Sequence, residues 1–262
     1  MANHSNKPAA IILAAGKGTR MKSDLPKVCH IIGDRPMICA VVDACLAAGC
    51  DKIVVVVGYK QELVREALES YGDRVEYAIQ DEQLGTGHAV KSAAQNFAND
   101  DRDVLVLCGD GPLIREQTLT LMLERHTTTH AAATLATSLI ENPDGYGRIV
   151  RDADGGFVQI VEQKNATPDQ LKINEVNPSY YCFGSVGLFA CLATLPRNEL
   201  TGEYYVTDVP AMLLAQGGGG RGGSGGVEVI DAVPPEDILS INTLDQLADV
   251  DRVFRARREG VV

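Results

Sequence analysis

The sequence predicts an α/β fold in which helices flank a mostly parallel, mixed sheet that carries a smaller antiparallel extension. Two observations lead to this prediction. Through the first half of the chain, short runs rich in Val and Ile alternate with longer segments of helical periodicity, which is typical of strand-helix-strand units. After about residue 131, the pattern changes to short strands separated by turns, which favours mixed or antiparallel pairing there.

Each predicted element follows from its own pattern. The apolar runs at 9–14, 53–58, 75–79 and 104–108 are predicted to be buried strands. After the first strand, apolar residues at 38, 41, 42, 45 and 46 have the i, i+3, i+4, i+7, i+8 spacing of a helix buried on one face. Further helices are predicted over 62–70, 87–97 and 115–126. Later strands are predicted at 131–138, 148–151, 157–162, 180–183 and 227–230, with a final helix over 244–258.

Composition and charge exclude several classes of protein. The 262 residues carry a formal charge of −11, which opposes binding to the phosphate backbone of a nucleic acid. The sequence has no apolar run of about 18 residues and its first residues lack a secretory pattern, so we expect no membrane partner. The seven cysteines are odd in number and form no CxxC pair, as expected for free buried thiols in a cytoplasmic protein.

One segment has low complexity. The stretch GGGGRGGSGG, residues 217–226, holds eight glycines in ten residues, and this composition predicts a flexible surface loop. A phosphate-binding loop is disfavoured, because the segment lacks both the Lys-Ser/Thr ending and a strand-to-helix setting.

The most informative motif follows the first predicted strand. Gly16 and Gly18 allow a turn whose N–H groups can surround an anion, while Arg20 and Lys27 supply positive charge in an otherwise acidic chain. Ligands of doubly wound sheets lie at the carboxyl ends of the strands, where this turn is expected. Neither the dinucleotide fingerprint GxGxxG nor the P-loop pattern fits its spacing. A triphosphate would explain the cluster, and a solvated basic turn is the alternative.

The whole pattern L-x2-G-x-G-T-x-M-x4-P-K, from Leu13 to Lys27, resembles the signature of the sugar-phosphate nucleotidyltransferases. Further motifs narrow the resemblance to the uridylyltransferase domain of the bacterial N-acetylglucosamine-1-phosphate uridylyltransferases. They are QDEQLGTGHA (80–89), LCGDGPLI (107–114), GYGRIV (145–150), IVEQKNAT (160–167), GEYYVTD (202–208) and SIN ending at 242. The resemblance implies a Rossmann-like nucleotidyltransferase fold in a single domain over 7–258. Its nucleotide-binding part extends over about 7–130, and its sugar-binding part with the closing helix over about 131–258.

The resemblance also implies a role for each site residue. Arg20 and Lys27 would be catalytic, and Asp110 and Asn242 would hold Mg²⁺. Gln80 would recognise the imide edge of uracil, whereas nearby His88 is expected to have a structural role at a helix start. The remaining nucleotide-binding residues would be Leu13, Ala14, Ala15, Gly16, Gly85 and Thr86, and the sugar-binding residues Gly147, Glu162 and Asn177.

The implied reaction transfers UMP from UTP to N-acetylglucosamine 1-phosphate, giving UDP-N-acetylglucosamine and pyrophosphate by direct in-line attack. The segment Pro178-Ser179 departs from the family pattern, which leaves another sugar 1-phosphate, such as that of glucose or N-acetylgalactosamine, as an alternative. A non-catalytic nucleotide-sugar sensor is the second alternative. Since the chain ends without the hexapeptide repeats through which such proteins trimerise, a monomer or weak oligomer without acetyltransferase activity is expected.

Overall fold

The computed structural model describes residues 7–217, 225–239, 241 and 243–260. Strands and helices alternate through its first half. The strands are β1 (Ala9–Leu13), β2 (Ile31–Ile32), β3 (Arg35–Pro36), β4 (Lys52–Val57), β5 (Val75–Ile79), β6 (Asp103–Cys108), β7 (Ala133–Leu139), β8 (Gly147–Arg151), β9 (Phe157–Val161), β10 (Glu175–Gly184) and β11 (Val227–Asp231). The helices are α1 (Met37–Ala47), α2 (Gln61–Ala67), α3 (Thr86–Ser92), α4 (Glu116–Thr129), α5 (Ser185–Ala193), α6 (Val209–Ala215) and α7 (Leu244–Arg258).

The strands form one large mixed sheet with β1 near its centre. Among the described residues, the strands lie in the order β11, β7, β10, β6, β1, β4, β5. Strand β1 pairs in parallel with β4 and β6, and β5 and β11 also pair in parallel with their neighbours. Strand β10 runs antiparallel between β6 and β7 and carries the antiparallel strands β8 and β9. The predicted α/β fold with an antiparallel extension is therefore confirmed.

Both faces of the sheet are covered by helices. Alternate residues of β1 point to opposite faces, so Ala10 and Ile12 belong to an apolar cluster with α1, α2, α4 and α7. Ala9 and Ile11 belong to a second cluster with α3, α5 and α6. All four side chains are fully buried. Burial on both faces explains why the strand sequence is apolar throughout rather than alternating.

Several element boundaries differ from the prediction. Helices α2 and α3 end at Ala67 and Ser92, and the rest of each predicted helix is a 3₁₀ turn, over Glu69–Arg74 and Ala94–Phe97 respectively. The first of these turns includes Gly72, whose φ of 56° and ψ of −137° are not helical. Helices α5 and α6 were not predicted, because their sequences, SVGLFACLA and VPAMLLA, are apolar on nearly every side and show no helical periodicity.

Strand β10 is longer than the predicted 180–183. It begins at Glu175, and its pairing with β7 shifts register between Val176 and Tyr180. The irregular stretch contains Pro178, which has no N–H to donate, and Ser179, whose φ is 67°. A proline and a left-handed residue are typical of turns, which is why the sequence did not predict a strand through this region.

Helix α7 packs against the first half of the chain. The N–H of Gly33, in the turn between β2 and β3, donates to Asp251 Oδ1 at 2.6 Å. A Cβ at Gly33 would lie 2.9 Å from Phe254 Cε1, so a glycine is needed for this close approach. The last helix is thus fixed to the turn between β2 and β3. In the described ranges, no helix has the length and apolar character needed to cross a membrane.

Candidate active site

The candidate site lies where the glycine turn follows β1, at the carboxyl end of a central strand. Gly18 has a φ of 63°, and a Cβ there would lie 2.7 Å from the Cβ of Lys27, so both conformation and space require glycine. The start of the turn is fixed by Gln83, whose Nε2 donates to the carbonyl of Ala15 at 2.8 Å. The turn therefore has a defined shape and packs against the lysine that ends the motif.

Three adjoining pockets form a cleft along this edge of the sheet. We name them the turn pocket, which lies at the glycine turn, the Gln80 pocket and the Glu162 pocket, after residues that line them. Their volumes are about 280, 330 and 440 Å³ respectively. Predicted site residues line each pocket. The turn pocket is lined by Leu13, Ala14, Gly16 and Lys27, and the Gln80 pocket by Ala15, Gln80, Gly85 and Thr86. The Glu162 pocket is lined by Gly147, Glu162 and Asn177.

Shared lining residues show how the pockets connect. Leu13 and Gly16 line both the turn pocket and the Gln80 pocket. Arg20, Cys108 and Asp110 line both the turn pocket and the Glu162 pocket. A cation and a carboxylate therefore stand where the two pockets meet.

The Gln80 pocket is built by contacts between two distant segments. Gln80 is only 5% exposed, and its Nε2 donates to the carbonyl of Gly85 at 3.1 Å. Gly85 has a φ of 101°, and a Cβ there would lie 2.5 Å from the carbonyl oxygen of Tyr204. Thr86 Oγ1 accepts a hydrogen bond from the N–H of Val206 at 3.1 Å. The segment GEYYVTD thus supports the QLGTGHA segment from behind.

The charged centre of the cleft joins the turns after β1 and β6. Lys27 Nζ forms an ion pair with Asp110 Oδ2, and the two side chains are only 14% and 25% exposed. Arg20 lines the same junction, and its side chain is exposed to solvent. Across the described ranges, no three His, Cys, Asp or Glu side chains group together in a way that could hold a metal ion. Asp110 would therefore need ligands of other kinds to complete a metal site.

The Glu162 pocket is formed by the antiparallel extension. Glu162 follows β9, and its Oε1 accepts a hydrogen bond from Thr207 Oγ1 at 3.1 Å. Burial raises the pKa of this carboxyl group above its ordinary value, an effect that the Thr207 hydrogen bond opposes. A Cβ at Gly147 would lie 3.0 Å from Ile160 Cγ2, so glycine leaves room for the Ile160 side chain here. The pocket thus offers a partly desolvated carboxylate to a polar ligand.

Asn177 reaches this pocket because of how β10 pairs. Tyr181 lies opposite Val106 in the antiparallel register, which brings the start of β10 beyond the carboxyl end of β6. The Asn177 amide donates from Nδ2 to Tyr181 Oη at 2.6 Å and accepts at Oδ1 from the N–H of Ser179 at 3.1 Å. These two bonds fix its orientation and leave one N–H and one oxygen lone pair for a ligand.

The segment before α7 borders the same pocket. Asp237 is 1% exposed and forms ion pairs with Arg115 and Arg257, which join this segment to α4 and α7. Thr243 caps α7 by accepting from the N–H of Gln246 at 3.2 Å, and it lines the Glu162 pocket. Asn242, the predicted second metal ligand, lies outside the described residues, as does most of the predicted glycine loop.

Comparison with known proteins agrees with this geometry. The family model of the MobA-like NTP transferase domain matches residues 10–197, which include the glycine turn, Gln80, Asp110, Glu162 and Asn177. The chain belongs to this family.

Curated relatives of this NTP transferase domain are bifunctional proteins. The protein named "Bifunctional protein GlmU" from Geobacter metallireducens is 43% identical over 249 residues, which are 95% of this chain and 51% of that protein. The protein of the same name from Heliobacterium modesticaldum is 44% identical, over 96% of this chain and 53% of that protein. The chain therefore spans about half the length of the curated relatives it matches.

A solved structure supports the fold of this NTP transferase domain. A Bacillus anthracis chain named for glucose-1-phosphate thymidylyltransferase, crystallised with a sucrose, superposes with a TM-score of 0.74. It is 19% identical and the match covers 95% of both chains. The predicted Rossmann-like nucleotidyltransferase fold is thereby confirmed.

Every predicted site residue that the structure describes lines this cleft of the NTP transferase domain. Their roles toward a ligand stay predictions. The structure brings two further residues to the site that the sequence did not assign to it. His88 was expected to have only a structural role at the start of a helix. Its Nδ1 lies 3.1 Å from the Gln80 amide nitrogen. Cys108 lines the pocket junction at the end of β6, and burial raises the pKa of its thiol. Its place after an apolar strand and before Asp110 was the available signal.

Proposed function

We propose that this NTP transferase domain catalyses the reaction of UTP with N-acetylglucosamine 1-phosphate, giving UDP-N-acetylglucosamine and pyrophosphate. The observation that carries the proposal is that Arg20 and Asp110 line both the turn pocket and the Glu162 pocket. A triphosphate over the glycine turn and a sugar phosphate in the Glu162 pocket would meet at these charges. The resemblance of the motifs and the 43% identity to a protein named GlmU support the same reaction.

The nucleotide would bind along the turn and the Gln80 pocket. Backbone N–H groups of the turn after Leu13 suit phosphate oxygens, which accept hydrogen bonds from exposed donors. Gln80 would recognise the base from its buried position, and the Gly85 backbone would lie beside the ribose or base. Because a buried amide that forms hydrogen bonds to one base leaves its polar atoms unpaired with another, this pocket can discriminate between bases.

Arg20 and Lys27 would stabilise the negative charge that shifts between the attacking and leaving phosphates. The attacking phosphate oxygen is already anionic at neutral pH, so it needs little help from a general base. Positioning of the two substrates and stabilisation of charge would then supply most of the rate enhancement. This agrees with a cleft whose charged centre consists of cations and one carboxylate.

A divalent metal, which nucleotidyltransferases of this kind generally use, fits the charged centre. The Asp110 carboxylate stands at the pocket junction and already holds a cation, the Lys27 ammonium. We propose Mg²⁺, held by Asp110 and Asn242 with phosphate oxygens and water, since this ion prefers oxygen ligands and seldom takes an all-protein cage. When bound, it would neutralise phosphate charge and polarise the bond that breaks.

The sugar phosphate would occupy the Glu162 pocket. Glu162 can accept hydrogen bonds from sugar hydroxyls, and the amide of Asn177 has one donor and one acceptor position to offer. The cavity of about 440 Å³ is large enough for an amino sugar with its acetyl group. We place the reaction in the cytoplasm.

Pyrophosphate release tests the proposal. The protein is incubated with UTP and N-acetylglucosamine 1-phosphate, with and without Mg²⁺, beside glucose 1-phosphate and N-acetylgalactosamine 1-phosphate. We expect release that depends on Mg²⁺, prefers the N-acetylglucosamine substrate and falls at least about a hundredfold in Asp110→Asn. Preference for another sugar would contradict the substrate assignment. UDP-sugar binding without turnover of any substrate would instead favour a nucleotide-sugar sensor.

A further inference from the structure

The orientation of the Gln80 amide is fixed by two neighbours. Its Nε2 lies 3.1 Å from the carbonyl oxygen of Gly85 and 3.1 Å from Nδ1 of His88. A carbonyl oxygen can only accept a hydrogen bond, so the amide atom that faces Gly85 must be the nitrogen. The same nitrogen faces His88, and His88 Nδ1 must therefore be the unprotonated, accepting nitrogen of its ring.

This arrangement uses both N–H groups of the Gln80 amide inside the protein. The atom left for a ligand is Oε1, which can only accept. The uracil ring carries a donor at N3, whereas the corresponding N3 of cytosine is an acceptor. At N3, an amide that presents oxygen alone therefore matches uracil and opposes cytosine.

We propose that His88 is a positioning residue that sets the base specificity of the nucleotide site. By accepting the second N–H of Gln80, it keeps the amide oxygen as the only group that Gln80 presents to the base. This inference rests on the proposed function, in which Gln80 recognises the base of the nucleoside triphosphate.

The surroundings hold His88 in place for this role. It lies in α3, where the N–H of Gly87 donates to the carbonyl of Tyr204 at 2.8 Å. The His88 and Tyr204 rings stack with centroids 6.4 Å apart and planes inclined by 27°. Ser92 Oγ donates to the His88 carbonyl at 3.0 Å. Backbone and ring are thus both anchored, so Nδ1 stays at a fixed position relative to Gln80.

Gly85 alone cannot hold the amide in this way. Without an acceptor at residue 88, one N–H of the buried Gln80 amide has no partner, and an unpaired buried donor is costly. Rotation of the amide toward the pocket relieves this cost by pointing an N–H at the ligand. Such a donor would form a hydrogen bond with N3 of cytosine, so the distinction between the two bases would weaken.

The test compares UTP with CTP in four proteins: wild type, His88→Leu, His88→Asn and Lys91→Leu. His88→Leu removes the acceptor, whereas the Oδ1 of asparagine can accept close to where Nδ1 stood. Lys91→Leu changes a different side chain of α3 and serves as the matched control. For each protein, kcat/KM is measured with both nucleotides and N-acetylglucosamine 1-phosphate, and the affinity for each nucleotide is measured by calorimetry.

We expect the ratio of kcat/KM for UTP to kcat/KM for CTP to fall about tenfold or more in His88→Leu. The ratio should be largely restored in His88→Asn and stay unchanged in Lys91→Leu. A ratio that stays at the wild-type value in His88→Leu overturns the inference, even if activity or melting temperature falls. A wild-type protein that prefers UTP in binding but forms no product contradicts the proposed function instead. The binding ratio then still tests His88. Equal binding of both nucleotides by the wild type overturns the inference as well.

Discussion

Lys27 and Asp110 form an ion pair between the turn that follows β1 and the turn that follows β6. The ammonium lies against Oδ2 of the carboxylate that we propose as a metal ligand. Lysine and metal would thus compete for the same carboxylate. We expect this ion pair to open when metal and nucleotide bind. Asp110 would then hold the metal, and Lys27 would hold a phosphate.

Replacing Lys27 should separate these two roles. In Lys27→Met, Asp110 loses its competing cation, so Mn²⁺ used as a probe should bind the free protein about threefold tighter or more, as measured by electron paramagnetic resonance. Turnover should nevertheless fall about 100- to 1000-fold, because charge stabilisation between the phosphates is lost. Lys172→Met, at an exposed surface pair with Asp169, should change neither quantity. Weaker Mn²⁺ binding in Lys27→Met would contradict the competition.

Gly85 should be more sensitive to substitution than another glycine of similar backbone conformation. Gly85→Ala introduces a methyl group 2.5 Å from the Tyr204 carbonyl oxygen at a φ of 101°. At Gly49, with a φ of 94°, no described atom beyond the two neighbouring residues of the chain lies within 4 Å of such a methyl group. We expect Gly49→Ala to lower the free energy of unfolding by about 1 kcal/mol and Gly85→Ala by about 3 kcal/mol, measured by urea denaturation. Equal losses would show that the contact with Tyr204 has no effect.

The buried Asp237 should stabilise the segment that leads to Asn242. Asp237→Asn removes the buried carboxylate that pairs with Arg115 and Arg257, and Arg115 then keeps only its more exposed pair with Glu236. We expect the substitution to lower the free energy of unfolding by about 3 kcal/mol. Asp249→Asn, which breaks an exposed pair with Arg252, is the matched control and should cost less than about 1 kcal/mol. A small effect of Asp237→Asn in urea denaturation would contradict this assignment.

Glu162 should make stability depend on pH. Burial raises the pKa of its carboxyl group in the folded state above the ordinary value of 4.5. A carboxyl group whose pKa is raised by folding lowers the free energy of unfolding as the pH increases from the unfolded-state pKa through the folded-state pKa. This loss of stability is complete above both pKa values. Glu162→Gln should therefore raise the free energy of unfolding at pH 7 and change it little below about pH 4.

Chemical denaturation at the two pH values measures this difference. The exposed Glu199→Gln is the control and should change the free energy of unfolding little at either pH. The same Glu162→Gln protein should turn over more slowly, since an amide accepts hydrogen bonds from sugar hydroxyls less strongly than a carboxylate. Unchanged stability at pH 7 would mean that the carboxylate carries no desolvation penalty.

Local sequence patterns predicted the strands of the large sheet and the helices in the first half of the chain, but not the short strands β2 and β3 or the ends of α2 and α3. The run from Ala9 is apolar at every position, as burial on both faces of a parallel strand requires, and β5 and α7 begin and end as predicted. These patterns did not predict the first part of β10, because that strand contains residues typical of turns. Pro178 and Ser179 lie inside β10, and pairing with β6 and β7 overrides their local preference.

The sequence by itself determined the family and the residues around which the cleft is built. Glycines at fixed spacing, two cations and a carboxylate after an apolar strand are local features, and they can be recognised without knowing which segments meet. Only the tertiary structure decided that Glu162 and Asn177 lie beside Asp110, that Lys27 pairs with this carboxylate, and that His88 faces Gln80. The antiparallel insertion of β10 beside β6 and the packing of GEYYVTD behind α3 produce these contacts. Such contacts depend on sheet order and side-chain packing, which the spacing of residues along the chain does not specify.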